Sequence, residues 1–373
     1  MLSLWFLFYI IIILVLVTIT YLNFRRYYKK HIVYLVTPLF KISYKIFIIF
    51  IILFFIHFTR DVNLGSDYSN YVDMYQYTVN TGELPWQLKY KESGYTYLQK
   101  IFANTGVSYK VFFASLSIII WYFFLKASYK FVFLLPIMLY FSIVDGFFLW
   151  SQSGIRQAIA ITIFFYSVRF IIEKRILLYI FFIYIASLFH ISAILLLPFY
   201  FTNKIKFNRK VVFYLFIFTA SGLASLLLIP LIQYLLKLIF SSNHIFYTYV
   251  QYIDILTYAN ESNKGSGLGY IIRFLSTLYI IHQSNNVLKN QPNLSVYYNL
   301  FFIGLFIGNM FLYNEIVLRF ILYFKILFTI VIASTIYYSR KRYEKMISIV
   351  LISLYFLIFL SQVYQLNINY YNY

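Results

Sequence analysis

The sequence contains no cysteine, which excludes disulfides, thiolate nucleophiles and cysteine-based metal clusters. Charge is also scarce. Asp, Glu, Lys and Arg make up 11% of the chain, and 11 acidic residues face 31 basic ones. No Walker loop, HExxH, Gly-x-Ser-x-Gly or histidine cluster is present, so the common phosphate-loop, zinc-peptidase and serine-hydrolase signatures are missing. The net charge of +20 would suggest nucleic acid in a soluble chain. Here the positive-inside rule explains it more simply, and no nucleic-acid partner is expected.

What is present is apolar surface. Of the 373 residues, 62% are hydrophobic and 24% aromatic. A soluble domain of this length has no way to hide that much, so lipid must act as solvent. Residues 3–22, 211–236 and 346–366 carry no charge and are long enough to cross a bilayer, which takes roughly 17–25 residues. The bias toward Ile, Phe, Tyr, Asn and Lys leaves any single aromatic with little weight. The fold class expected is an all-α polytopic membrane protein, one integral domain over 1–373, with about 12 transmembrane or re-entrant helices. The spans drawn are 3–22, 42–58, 110–125, 131–149, 155–172, 176–189, 191–201, 211–229, 269–283, 296–313, 316–338 and 346–362.

Lysine and arginine set the orientation. One family of connections holds Arg25, Arg26, Lys29, Lys30, Lys41 and Lys45, then Lys126, Lys130, Lys174, Arg175, Lys204, Lys206, Arg209, Lys210 and Lys289, and finally Arg340, Lys341, Arg342 and Lys345. These are placed in the cytoplasm, with Glu173 and Glu344. Asp61, Asp67, Asp73, Glu83, Glu92, Asp254 and Glu261 fall on the other side, and Asp145 and Glu315 sit near membrane edges facing the same way. The first basic cluster follows the first apolar run, as in an N-out anchor and unlike a cleavable signal. Both termini are therefore expected outside the cytoplasm.

Residues 176–201 could form one helix, but that would invert every later loop. Two short pieces are preferred, re-entrant or kinked, with His190 at the turn. Two long outer connections remain, 59–109 and 230–269. No convincing internal repeat is found, which weakens a transporter reading.

Several residues carry candidate chemistry. Arg156, in Ser151-Gln152-Ser153-Gly154-Ile155-Arg156-Gln157, opens a span. Its guanidinium fork suits a phosphate, with Ser, Gly and Gln leaving room and extra donors. The alternative is an interfacial arginine snorkelling to headgroups. Arg319 follows Glu315 at i,i+4, so one orients the other, either as a structural pair or toward a substrate. Arg273 opens another span and reads equally as a membrane-edge anchor. Arg156, Arg273 and Arg319 together would make a cationic pocket for a diphosphate. His190 suits proton shuttling or a phosphate hydrogen bond, or a structural role. His57 is a weaker candidate. If residues 68–75 are helical, Tyr68, Tyr71 and Tyr75 share a face, with Asp67 before them as an N-cap. Such a stripe suits sugar stacking or a membrane surface. Glu92 is a candidate general base, a sugar-hydroxyl acceptor or simply a solvated loop acid. Gly304 and Gly308 form a GxxxG, read as close helix packing.

These segments, in order, resemble the EpsG family, which belongs with the Wzy-type polymerases of O-antigen, capsule and exopolysaccharide. The residues that carry the resemblance are Asp67-Tyr68 to Tyr75, Glu92-Ser93-Gly94-Tyr95, Gly154-Ile155-Arg156-Gln157 with Ala160, Phe189-His190-Ile191-Ser192-Ala193, and Glu315 with Arg319 before Tyr323-Phe324. Ser93 departs from the proline expected in many members. The resemblance implies a glycosyltransferase of the bacterial cytoplasmic membrane. Such an enzyme moves a growing glycan from polyprenyl diphosphate onto the next lipid-linked repeat unit at the outer face. Donor and acceptor are then both polyprenyl diphosphate-linked oligosaccharides, and a flippase and a chain-length regulator of the same pathway are further partners. Arg156, His190, Glu92 and Arg319 become the expected catalytic residues. Asp67, Tyr68, Tyr71, Tyr95, Gln157, Arg273 and Glu315 become the expected substrate contacts. No cofactor or metal is expected, since arginine can do a cation's work. The rival function is a flippase of lipid-linked oligosaccharide. A membrane acyltransferase is less suited, because no cytoplasmic loop is equipped for an acyl donor.

Overall fold

The computed structural model describes residues 54–60, 67–86, 88, 92–224, 227–228, 230–231, 267–311 and 315–371, with the backbone alone at 315–316 and 364–371. The expected span 3–22, most of 42–58 and most of the second outer connection lie outside these residues, as do Asp61, Asp254 and Glu261. Among the described residues every regular element is helical. Two compact units divide at Tyr200/Phe201 and again at Leu351/Ile352.

After helical residues 54–59, the first unit has two helices within the connection 59–109 expected to face outward, α1 (Tyr68–Thr81) and α2 (Ser93–Asn104). Helix α1 ends at Gly82, whose φ of 71° lies in the left-handed region where a residue without Cβ is at ease. Next come α3 (Tyr109–Ala127), a 3₁₀ turn (Tyr129–Leu134), α4 (Leu135–Val144), α5 (Phe147–Ser153), α6 (Ile155–Ile172) and α7 (Ile176–Phe189). Helix α6 is apolar all round, and nearly all of it is buried, as that pattern requires. It packs against both α3 and α7.

The chain breaks after α7, where His190 is extended (φ −152°, ψ 113°). A long 3₁₀ helix follows, Ile191–Lys204, with Pro198 inside. A proline here has no N–H to give to an α-helical ladder. The Tyr179 hydroxyl of α7 donates to the Leu196 carbonyl at 2.7 Å. The expected division of 176–201 into two pieces at His190 is present.

The second unit holds α8 (Arg209–Ala220), α9 (Leu268–Asn290), a short 3₁₀ turn at Pro292–Leu294, α10 (Ser295–Met310), α11 (Glu315–Lys325) and α12 (Phe328–Tyr337). Helix α13 (Arg342–Tyr371) begins here and ends in the first unit. A Cβ at Gly304 would overlap the Phe324 side chain, and one at Gly308 would lie 3.3 Å from Ile321. The GxxxG is thus a packing face of α10 against α11, as its spacing predicts.

Four helical stretches are long and apolar enough to cross a membrane: Tyr109–Ala127, Ile155–Ile172, Val317–Tyr337 and Arg342–Val363. A fifth is counted if Tyr129–Val144 and Phe147–Ser153, bent by 57°, form one span. The bend falls at Gly146, at φ 91°. Among the described residues, four or five of the about 12 expected transmembrane or re-entrant helices meet a span's length and apolarity. Helix α7 is apolar but only 14 residues long. Helix α10, with 16 residues, reaches about 24 Å at 1.5 Å per residue, short of a hydrocarbon core of about 30 Å.

Candidate active site

Burial brings together residues that are far apart in the chain. Glu92 precedes α2 in the left-handed region (φ 51°, ψ 58°), a conformation that costs a residue with a Cβ roughly 1–2 kcal/mol. Packing holds the turn there. Gly94 lies so close to α7 that a Cβ would sit 2.9 Å from the Leu188 Cβ. The result aims the Glu92 carboxylate inward, with its side chain only 7% exposed.

That carboxylate bridges two partners. Arg156 Nη1 donates to Glu92 Oε2 at 2.6 Å, and His190 Nδ1 lies 2.8 Å from Glu92 Oε1. Arg156 Nη2 donates to the Tyr71 hydroxyl at 3.3 Å. The guanidinium also stands over two rings, 4.7 Å from the Tyr71 centroid and 5.4 Å from that of Tyr95. Both are within the range of cation–π attraction. Burial raises the pKa of Tyr71 above its ordinary value, against the pull of Arg156. Burial likewise pushes Tyr95 upward. Both phenols stay protonated at neutral pH. The Tyr95 hydroxyl is buried and has no hydrogen-bond partner among the described residues.

Arg156 is the second residue of α6, beside the positive end of the helix dipole. A cation there is disfavoured and an anion welcomed. The Glu92 carboxylate pairs with the Arg156 guanidinium at this end of the helix. The cation at this helix end is therefore answered by an acid of the chain itself.

Other predicted residues take different positions. Tyr68 and Tyr75 are buried in protein packing, Tyr68 edge-on to Phe113 and Tyr75 stacked on Phe112. The Tyr68–Tyr75 face therefore points into the unit. A stacking role for Tyr68 on a sugar would require that packing to open. Asp67 occupies the N-cap position of α1, but its side chain makes no cap; its backbone N–H donates to Ser153 Oγ at 3.4 Å. Gln157 is buried in α6. The room expected at Gly154 is filled by Trp150, whose ring would lie 2.6 Å from a Cβ there. Arg273, on the first turns of α9, and Arg319, on α11, are exposed residues of the second unit. Glu315 opens α11, and its side chain lies outside the described residues. His57 is buried edge-on against Phe148.

Sequence reasoning missed Arg60. It is buried, its guanidinium lies 3.5 Å from the Tyr68 ring centroid, and its Nη1 donates to the Gln152 carbonyl. A lone arginine at the end of an apolar run was the available signal.

A family model described as the EpsG family matches residues 42–373. The chain belongs to the EpsG family. That family is one of Wzy-type polysaccharide polymerases, which gives this EpsG chain a polysaccharide-polymerase type of function. Its apolar helices make it a membrane protein. No curated protein and no solved structure matches the chain.

Proposed function

We propose that this EpsG-family protein polymerises a bacterial surface polysaccharide at the outer face of the cytoplasmic membrane. The observation that carries the reading is the Glu92 carboxylate held between Arg156 and His190 in an apolar unit. The donor is a glycan on polyprenyl diphosphate, and the acceptor is the next lipid-linked repeat unit. The diphosphate takes the anion place beside Arg156, displacing one oxygen of Glu92 from the guanidinium. Glu92 then keeps its contact with His190 and faces the acceptor hydroxyl as a base. The acceptor oxygen bonds to the anomeric carbon, the bond from that carbon to the diphosphate oxygen breaks, and the hydroxyl proton passes to Glu92. Lipid diphosphate leaves with added negative charge, which Arg156 and the α6 N-terminus stabilise.

Tyr71 and Tyr95 hold the guanidinium, and contact of the sugar with either ring requires their packing to open, as at Tyr68. Arg273 and Arg319, with Glu315 four residues before Arg319 in the sequence, serve as further contacts for the anionic substrate. The fuller architecture has about 12 transmembrane or re-entrant helices, with both termini outside the cytoplasm. A flippase supplies the substrate and a chain-length regulator acts on the product, which is capsule, O-antigen or exopolysaccharide.

The test is a deletion strain complemented with stably expressed wild-type or Arg156→Ala protein, followed by glycan gels. The proposal expects a single repeat unit without a ladder from Arg156→Ala. Full-length polymer from that variant overturns the role of Arg156. Loss of all outer-face units in the deletion strain means a flippase instead.

A further inference from the structure

The second unit contains a cleft unrelated to the carboxylate bridge. It lies between α8 and α9, with a volume of about 470 Å³, within the usual range for a ligand pocket. Arg209, Lys210 and His282 supply its polar lining, and Phe213, Tyr214, Leu278 and Ile281 its apolar walls. Among the described residues no carboxylate lines it, so Arg209 and Lys210 meet no acid in that lining.

The local sequence explains the arrangement. Asn208 caps α8 by accepting from the backbone N–H groups of Lys210 and Val211 at 3.0 and 3.3 Å. Arg209 and Lys210 therefore project from a fixed first turn. Arg209 Nη1 donates to the His282 carbonyl at 3.4 Å, which ties the guanidinium to α9. That uses one of five N–H donors, so the fork keeps others for a phosphate. Away from the charged mouth, Val211, Tyr214 and Leu215 on α8 and Ile271 and Leu275 on α9 are exposed apolar residues. In a membrane protein such residues meet acyl chains. The cleft thus joins a cationic mouth to an exposed apolar wall.

We infer that this cleft binds a phospholipid with an anionic headgroup, its phosphate on Arg209 and Lys210 and an acyl chain along Phe213, Leu278 and Ile281. Charge complementarity selects the headgroup, and the apolar wall selects a lipid over a free anion. A basic residue near a membrane contributes about 1 kcal/mol to binding acidic lipid, so removing both cations corresponds to about a 30-fold loss of affinity.

The test is native mass spectrometry of the purified full-length protein titrated with phosphatidylglycerol or phosphatidylcholine. The wild type is expected to prefer phosphatidylglycerol. Arg209→Gln with Lys210→Gln should lose about 30-fold in phosphatidylglycerol affinity. Lys206→Gln with Lys289→Gln, which removes two exposed lysines outside the lining, should lose nothing. Leu278→Trp fills the apolar wall without changing charge and should also weaken binding. Equal affinity for the two lipids overturns the inference. So does an equal loss in the Lys206/Lys289 control, or full affinity in either cleft variant.

Discussion

An acid stands at each end of helix α6, and the two ends differ in kind. The ends are about 26 Å apart at 1.5 Å per residue. At the N-terminal end Glu92 meets one permanent cation, Arg156, and one titratable ring, His190. At the C-terminal end Glu173 meets three permanent cations: Lys130 at 2.6 Å, Arg169 at 3.5 Å and Arg175 at 3.6 Å. Each end places a charge against the helix dipole and answers it with the opposite sign. At Glu173, burial raises the pKa, but the Lys130 hydrogen bond and the charges of Arg169, Lys130 and Arg175 win and hold the carboxyl below its ordinary value. Two of its three partners are half or more exposed, at 50% and 62%. That cluster is a surface tie joining α6 to the chain on either side. The Glu92 bridge has fewer partners and less water, and it includes a group able to carry a proton. The same charge chemistry therefore makes an exposed anchor at one end and a more enclosed pair at the other.

The largest expected effect separates the two acids directly. Glu92→Gln should lower polymer formation by about 100-fold or more, the ordinary scale for losing a general base. Glu173→Gln should leave it within about twofold, since exposed ion pairs contribute little. Both are read from the glycan ladder at matched protein levels. Equal losses would mean that the two ends do not differ in function.

A smaller effect concerns how Glu92 is held. Gly94→Ala puts a Cβ against Leu188, and overpacking of this kind costs about 1–3 kcal/mol. Thermal unfolding in one detergent should show the loss, and polymer formation should fall with it. Unchanged activity would mean that the α2–α7 approach does not position Glu92.

The smallest effect is an acid signature at the other end. A carboxyl whose folded pKa is depressed contributes stability above its unfolded pKa and loses it as pH falls through the folded pKa. The stability gap between wild type and Glu173→Gln should therefore be full at neutral pH. It should close as pH drops below the ordinary carboxylate value of about 4.3. A gap independent of pH would remove the ion-pair account.

Much of this was readable from residue types. Arg156 was visible because a permanent charge in an apolar run demands an explanation. His190 was visible as a polar break between two apolar pieces too short to cross alone. Tyr68, Tyr71 and Tyr75 were correctly placed on one helical face by their spacing. Which way that face pointed was not readable, because packing against Phe112 and Phe113 of α3 turned it inward. The space at Gly154 misled in the same way, since a glycine shows that something comes close without naming it. Here it is the Trp150 ring.

Composition and charge order alone determined an all-helical membrane protein, because apolar length and the distribution of lysine and arginine are properties of the chain itself. Tertiary structure alone decided that Glu92 joins Arg156 and His190, 64 and 98 residues away. Helices as uniformly apolar as α6 and α7 carry no stripe that dictates their neighbours. The pairing of their charged ends follows from side-chain packing, such as Gly94 against Leu188, and that packing exists only once the helices are assembled.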